Sequence, residues 1–269
     1  MKISLLNKRK YKVNEKITII IPTIEEIKGS DLIDGSTTNE DLYYEAMSLF
    51  FTVPSSCIAQ LDNMGIDFTK ISDFELFILL YSSMDKDNLR KASKYIFDEF
   101  NFADFEIGYN QNKTLVLYNE KADVEINEYI YHLLSTLFCT MHFYSKTRKI
   151  NCAGETTRKW IIERAKVKLE RAKKKKKSNG SELDDLILAM VNNQNFKYDF
   201  ESVNKLTIYN FQASARYIIQ KYQADNLYRG IYTGTIDLSK LSMSEKNKLN
   251  WLTLDFNTIK GRESIGKLS

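Results

Sequence analysis

The longest helical pattern in the chain runs from Lys205 to Tyr232, and it constrains the fold more than any other stretch. Its apolar side chains recur at intervals of three and four residues, which places them on one face of a helix. That face consists of Ile208, Phe211, Ala215, Ile218 and Tyr222. Gly230 and the turn-forming residues after it predict where the helix ends. We interpret this stretch as a scaffold and docking helix.

The composition sets the fold class that such a helix belongs to. The 269 residues can hold one large or two small domains, and 43% hydrophobic residues supply a core. Two Pro and ten Gly are few for a turn-rich sandwich or barrel and favour helices. The predicted fold is therefore α+β and predominantly α. Residues 1–149 form a mixed N-terminal region with short strands and a hairpin, and residues 150–269 form a helical C-terminal region.

Local signals predict the elements of the N-terminal region. Strands are expected at Lys2–Leu6 and Lys16–Ile21 around a charged turn, and a hairpin is expected from Phe102–Tyr109 and Thr114–Tyr118. A largely apolar helix is expected at Asn127–Tyr144, opened by Asp123–Ile126. Helix starts are indicated by Thr38 or Asn39, and by Ser72 with Glu75 three residues later, which is a capping box.

The C-terminal region reads as a series of helices. Beyond the long stretch, helices are expected at Thr156–Lys173 and Glu182–Asn192, and a short last helix capped by Ser242 or Ser244 is expected to end near Trp251. The segment Lys146–Asn151 marks the predicted boundary between the two regions.

The net charge of +4 hides a strong asymmetry. Between Ser145 and Gly180 there are 14 Lys or Arg and 3 Glu, a local charge of +11, while the rest has 25 basic and 32 acidic residues, or −7. We call residues 156–178 the basic arm, and it ends in the run Lys173, Lys174, Lys175, Lys176 and Lys177. Three interpretations stay open: a solvated helix and linker, a clamp for a phosphate backbone, or a contact with an acidic protein surface.

Motifs for catalysis and cofactor binding are missing from the sequence. There is no GxGxxG, no GxxxxGK[ST] and no GxSxG. His132 and His142 are ten residues apart on one predicted helix, so a joint metal site is not expected. Cys139 and His142 are one turn apart, but their apolar setting favours a structural role. The loop Gly29–Ser36 lacks EF-hand spacing. We therefore predict no enzyme activity, no cofactor and no metal.

The cellular setting follows from cysteines and hydropathy. Cys57, Cys139 and Cys152 are odd in number and form no CxxC pair, which favours a reducing cytoplasm over a disulfide framework. The start of the chain, Met1–Asn14, lacks the pattern of a signal peptide. The most apolar stretches of the whole chain are too short for a bilayer span, so no membrane partner is expected.

Several C-terminal stretches resemble sequences of a known class of proteins. These stretches are residues 157–163 with the lysine run, 181–192, 198–211, 227–237 and 250–252. Over Thr156–Leu252 the chain resembles tail-module proteins of large contractile-tailed phages and related tail-like particles, some of them akin to the baseplate hub assembly proteins of T-even phages. The segment Cys57–Phe68 is compatible with the same resemblance.

The resemblance implies a non-enzymatic role in tail or baseplate assembly, as a structural subunit or an assembly chaperone. The implied partners are other phage tail or baseplate proteins. The implied location is the host cytoplasm during assembly, with the virion tail or baseplate as a second location. This class of proteins brings no catalytic residues to carry over.

Aromatic and arginine side chains are the usual anchors of protein interfaces, and they lead to a set of candidate partner-binding residues. The candidates are Trp160, Tyr209, Arg216, Tyr228, Tyr232 and Trp251. Each also has a core interpretation, which is strongest for Tyr232 and Trp251. A homo-oligomer stays open. The alternative function is a nucleic-acid-binding accessory protein that uses the basic segment 145–180.

Overall fold

The computed structural model describes residues 5–29, 37–147, 149–174 and 181–252. Helices make up 56% of the described residues, and the two sheets among them are small and antiparallel. The predicted fold class, α+β and predominantly α, is confirmed.

The elements follow in chain order. The strands are β1 (Lys10–Lys12), β2 (Thr18–Ile20), β3 (Glu106–Tyr109), β4 (Leu115–Asn119) and β5 (Val124–Ile126). The α-helices of the described residues are α1 (Ile24–Lys28), α2 (Asn39–Phe51), α3 (Ile58–Asn63), α4 (Asp73–Ser83), α5 (Lys86–Ser93), α6 (Glu128–Met141), α7 (Glu155–Lys174), α8 (Glu182–Val191), α9 (Ile208–Tyr232) and α10 (Met243–Lys248). β1 pairs with β2, and the second sheet has the order β3-β4-β5.

Aromatic rings fill the core between α2, α4 and α6. The ring centre of Phe50 on α2 lies 5.5 Å from that of Phe77 on α4, and 6.4 Å and 4.6 Å from those of Tyr131 and Phe138 on α6. All four side chains are buried. Rings at such separations attract one another beyond the effect of burying their area, so this cluster ties the three helices together.

Side-chain caps start the helices where the sequence predicts them. The Ser72 hydroxyl accepts from the Glu75 N–H at 3.1 Å, and the Glu75 carboxylate accepts from the Ser72 N–H at 2.7 Å. The same reciprocal pair joins Thr38 and Asp41 at the start of α2. Each box satisfies two backbone donors that the helix start leaves free, and losing the cap costs about 1 kcal/mol.

The first sheet lies later in the chain than predicted. β2 falls inside the predicted strand, but its partner β1 begins at Lys10, the last residue of the expected charged turn Lys8–Lys10. Leu5 and Leu6 do not belong to a strand, and the rest of the predicted Lys2–Leu6 lies outside the described residues. Strand β1 pairs Tyr11 with the buried Ile19, so the register is fixed by the apolar strand rather than by the charged one.

Strand β5 occupies the place where a helix start is expected. Asp123 has a φ of 50°, which turns the chain into β5, and Val124 and Ile126 are buried on alternate positions. Asn127 caps α6 instead, accepting from the Ile130 N–H at 3.1 Å. The predicted hairpin forms, but Phe102–Asp104 are a 3-10 turn rather than the start of its first strand.

The main core does not separate at the predicted boundary near residue 149. Leu183 and Ile187 of α8 and Phe211 of α9 belong to the same buried cluster as the rings around Phe50. The two predicted regions therefore differ in composition but share one core. A second, smaller cluster joins α7 to α3.

Helix α9 begins three residues later than the predicted stretch, and it continues through Gly230, which was expected to close it, to Tyr232. Thr207 caps it, accepting from the Asn210 N–H at 3.2 Å. Ala215 is the last residue of α9 that belongs to the main core as a buried side chain. We call residues 216–252, which comprise the rest of α9, a turn and α10, the C-terminal arm.

Candidate interaction surfaces

Two of the predicted partner-binding residues lie against Phe143 at the end of α6. The buried Tyr209 stacks on Phe143 with 5.2 Å between ring centres and 17° between planes. The half-buried Arg216 places its guanidinium 4.9 Å from the same ring centre, and Nη2 donates a 3.1 Å hydrogen bond to the Phe143 carbonyl oxygen. The structure therefore assigns Tyr209 and Arg216 to an internal contact, the Phe143 clamp, which fastens α9 to α6.

Phe143 also ends α6 in an unusual backbone conformation. Its φ is 51°, and its N–H donates to the Thr140 carbonyl at 3.2 Å while the Tyr144 N–H donates to the Cys139 carbonyl at 2.8 Å. This pair of bonds is a Schellman motif, in which glycine usually occupies the left-handed position. A phenylalanine there costs about 1 kcal/mol or more, which the clamp contacts must offset.

The part of the C-terminal arm that follows α9 folds back on this helix. The Tyr217 hydroxyl donates to the Leu252 carbonyl oxygen at 3.3 Å, and the Lys221 ammonium lies 5.9 Å from the Trp251 ring centre. The Ile236 N–H donates to the Gly230 carbonyl at 2.9 Å. Trp251 is thus half-buried against the helix, which agrees more with the core interpretation than with a fully exposed anchor.

Tyr228 and Tyr232 lie one turn apart near the end of α9 and stack with 6.4 Å between ring centres. Tyr232 is 85% exposed, so the core interpretation of this residue is wrong. Other exposed apolar side chains of the arm are Ile219, Leu238, Met243 and Leu252, together with Tyr222, which was expected on the apolar face of the helix. Sequence reasoning did not single out Leu238, Met243 and Leu252, because single apolar residues in polar segments carry no periodic signal.

Helix α7 is attached to the body along one face. Ile162 is buried against Ile58, Leu61, Phe68 and Leu76 in the smaller cluster. Two ion pairs border this contact: Arg158 reaches Asp67 at 2.7 Å, and Lys166 reaches Asp62 at 2.5 Å. The hydrogen bonds of Thr69 and the charge of Arg158 hold the pKa of Asp67 below its usual value, so this carboxylate stays ionised.

The opposite side of α7 carries Trp160, which is 54% exposed, beneath the guanidinium of Arg164 at 4.6 Å. Residues at 3,4-spaced positions continue this side. We call them the outer stripe of α7, and they are Trp160, Arg164, Val167, Lys168, Arg171 and Lys174. Among the described residues, no carboxylate pairs with Lys168, Arg171 or Lys174.

The predicted lysine run is only partly described. Lys173 pairs with Glu170 at 2.9 Å, and Lys174 is the last residue of α7. Lys175, Lys176 and Lys177 lie outside the described residues.

Cys139 and His142 lie one turn apart, but the histidine ring engages Tyr43. His142 Nε2 and the Tyr43 hydroxyl are 2.8 Å apart, and Nδ1 has no hydrogen-bond partner among the described residues. Complete burial lowers the pKa of His142 to about 3, and burial also raises the pKa of the Cys139 thiol. A neutral thiol beside a neutral imidazole does not form the ion pair of a cysteine nucleophile.

An open groove of about 560 Å³ lies beside the second sheet. Its wall includes Glu120, Asp123 and Glu125. Lys16 donates to the Asp123 carboxylate at 2.5 Å and to the Asp123 carbonyl oxygen at 2.8 Å. The carboxylate nearest this lysine is therefore already held in an ion pair.

Within the described ranges, no three His, Cys, Asp or Glu side chains gather in a way that could hold a metal ion. Most of the loop Gly29–Ser36 lies outside those ranges. Of the helices that the structure describes, none combines the length and apolarity needed to cross a bilayer.

Comparisons with protein-family models, curated proteins and solved structures found no match to this chain.

Proposed function

We propose that this protein is a non-enzymatic assembly protein that works through protein–protein contacts made by its C-terminal arm. The observation that carries the proposal is the exposure of Tyr232, at 85%, and of Met243, at 74%, on neighbouring helices of the arm. Exposed aromatic and methionine side chains are enriched at the centres of protein interfaces. Because these anchors project from helices, their backbone is ordered before binding, which lowers the entropy cost of association.

The proposed partners are other tail or baseplate proteins of a contractile-tailed phage. Support for this class comes from the resemblance of residues 156–252 to tail-module proteins, since the arm lies at the end of that region. In this setting the protein acts in the host cytoplasm during assembly, as a structural subunit or an assembly chaperone.

The test is affinity purification of the tagged, full-length chain from phage-infected cells, after nuclease treatment, with co-purifying proteins identified by mass spectrometry. The arm variant combines Tyr228→Ser, Tyr232→Ser and Met243→Ser. The matched control combines Tyr109→Ser and Tyr129→Ser, two tyrosines that are exposed on other elements.

We expect tail or baseplate proteins to co-purify with the wild type and the control, and to be reduced about tenfold or more with the arm variant. If no tail protein is recovered with the wild type, the proposed partner class is wrong. If the arm variant loses only self-association, measured by light scattering, the arm joins copies of this chain instead.

A further inference from the structure

Helix α7 separates its charges between two sides. Its 20 residues include eight Lys or Arg and three Glu, and of these Glu only Glu163, one turn from Trp160 and from Val167, borders the middle of the outer stripe. Glu155 and Glu170 pair with Arg158 and Lys173, two cations that do not belong to the stripe. The face attached to α3 also has its cations matched, as Arg158 and Lys166 meet Asp67 and Asp62. The uncompensated positive charge is therefore concentrated on the side that faces solvent.

This arrangement works against the stability of the helix. Arg164 and Lys168 are four residues apart, and Lys168 and Arg171 are three apart, so like charges are neighbours on the helix surface. A Glu at one of these positions would make an isolated helix more stable. A surface that keeps a destabilising run of cations is suited to a ligand that supplies the missing negative charge.

We propose that the outer stripe of α7 binds the phosphate backbone of nucleic acid. Arg164, Lys168 and Arg171 lie within about 11 Å along the helix axis, a length over which a duplex presents about six phosphates. Two of the three are arginines, whose planar guanidinium donates two parallel hydrogen bonds to a phosphate. This inference is independent of the function proposed for the C-terminal arm.

Trp160 distinguishes this surface from a simple cationic patch. Its ring is half exposed and already stacks with Arg164, which leaves an aromatic and guanidinium platform at one end of the row of cations. An unpaired base can stack on such a platform, whereas a duplex offers its bases only at its ends. The stripe is therefore expected to bind a single strand more tightly than a duplex of the same length.

An acidic protein is the competing ligand, and the residues on the stripe favour nucleic acid over it. Carboxylates of a folded protein are isolated charges, so they need fixed partners at matching positions, while phosphates repeat at regular intervals. A platform for stacking adds nothing to the binding of carboxylates. The combination of a cation row and a stacking ring matches the two repeating features of a nucleic-acid strand.

The test measures binding of the full-length chain to fluorescent 20-nucleotide DNA, single-stranded and duplex, by anisotropy at several salt concentrations. The stripe variant combines Arg164→Gln, Lys168→Gln and Arg171→Gln. The matched control removes the same charge from the body with Lys12→Gln, Lys121→Gln and Lys197→Gln, three exposed lysines that have no ion-pair partner among the described residues. Trp160→Ala is measured separately, and circular dichroism checks that each variant is folded.

We expect the stripe variant to bind at least about tenfold more weakly at low salt, with the slope of log K against log salt reduced by about 2 to 3. The control keeps most of the affinity, and Trp160→Ala weakens single-strand binding about tenfold with little effect on the duplex. Equal losses in the stripe variant and the control overturn the proposal, as does an absence of binding by the wild type. Binding of polyglutamate as tight as that of DNA, insensitive to Trp160→Ala, assigns the stripe to an acidic protein instead.

Discussion

The guanidinium of Arg216 lies 4.9 Å from the ring centre of Phe143 and donates a hydrogen bond to the carbonyl oxygen of the same residue. One side chain of α9 therefore holds both the ring and the backbone of the residue that ends α6. Burial lowers the pKa of Arg216 from its usual value, so the contacts of the clamp do not fully replace the hydration that the guanidinium loses.

Arg216→Ala should destabilise the fold by about 1–3 kcal/mol, because it removes a cation–π contact and a charged hydrogen bond at a partly buried site. Urea unfolding followed by circular dichroism measures the change. Arg229→Ala is the control, since Arg229 is exposed on the same helix and should change stability by less than about 0.5 kcal/mol. Equal effects of the two substitutions would contradict the clamp.

Phe143→Gly should also destabilise the protein, although glycine suits the left-handed backbone. Removing the buried ring costs about 3–5 kcal/mol, and relief of the positive φ returns only about 1 kcal/mol. Lys113→Gly is the matched control, because Lys113 has a φ of 58° but an exposed side chain. It should be neutral or stabilising by up to about 1 kcal/mol, and a loss there comparable to that of Phe143→Gly would refute the argument.

His142 makes the fold sensitive to acid. Burial lowers its pKa from 6.5 to about 3, so between these values the unfolded chain binds a proton that the folded protein does not. The contribution of His142 to the free energy of unfolding is therefore fully present above pH 6.5. It is lost as the pH drops towards 3, by about 1.4 kcal/mol per pH unit. At pH 5 the loss from this group should be about 2 kcal/mol.

Chemical unfolding of wild type and His142→Gln at pH 7 and pH 5 measures this term. The difference between the two pH values should be about 2 kcal/mol smaller in the variant. His132→Asn serves as the control, since His132 is the other histidine of the chain and is exposed. It should keep the wild-type pH dependence, and a similar change in both variants would show that burial of His142 is not the cause.

Gly230 lies where the arm folds back, and a Cβ there would be 2.4 Å from Cδ1 of Ile236. Gly230→Ala should therefore destabilise the arm, by about 1 kcal/mol after the helix propensity of alanine is included. In an Ile236→Ala background the same substitution should stabilise by about 0.5–1 kcal/mol, because the obstruction is gone. Thermal unfolding and limited proteolysis of the four proteins measure the cycle, and an unchanged sign would rule out this contact.

Local chemistry made parts of the fold predictable. Ser72 with Glu75, and Thr38 with Asp41, mark helix starts because cap and backbone lie within four residues of each other. The end of α9 was predicted less well, because Gly230 lies inside the helix, and Thr233 and the left-handed Gly234 (φ 72°) end it instead. Strand β5 was not, because the positive φ of Asp123 depends on the sheet that it enters.

The candidate surfaces were harder to predict than the elements. Tyr209 and Arg216 have polar ends and lie off the apolar stripe, yet both meet Phe143, which is more than 60 residues away in the chain. A single sequence contains no signal for that pairing. Exposure of Tyr232 and Met243 depends in the same way on how the arm folds back, whereas the cations of α7 could be found by counting charges.

The continuity of α9 has a mechanical consequence. The helix runs without interruption for 25 residues, about 37 Å, and the contact of Arg216 with Phe143 sits roughly one third of the way along it. A load applied at Tyr232 acts through a lever of about 24 Å whose fulcrum is that contact. A sideways force on Tyr232 therefore tilts α9 about this contact. The force is passed on to the end of α6, beside the packed ring of His142.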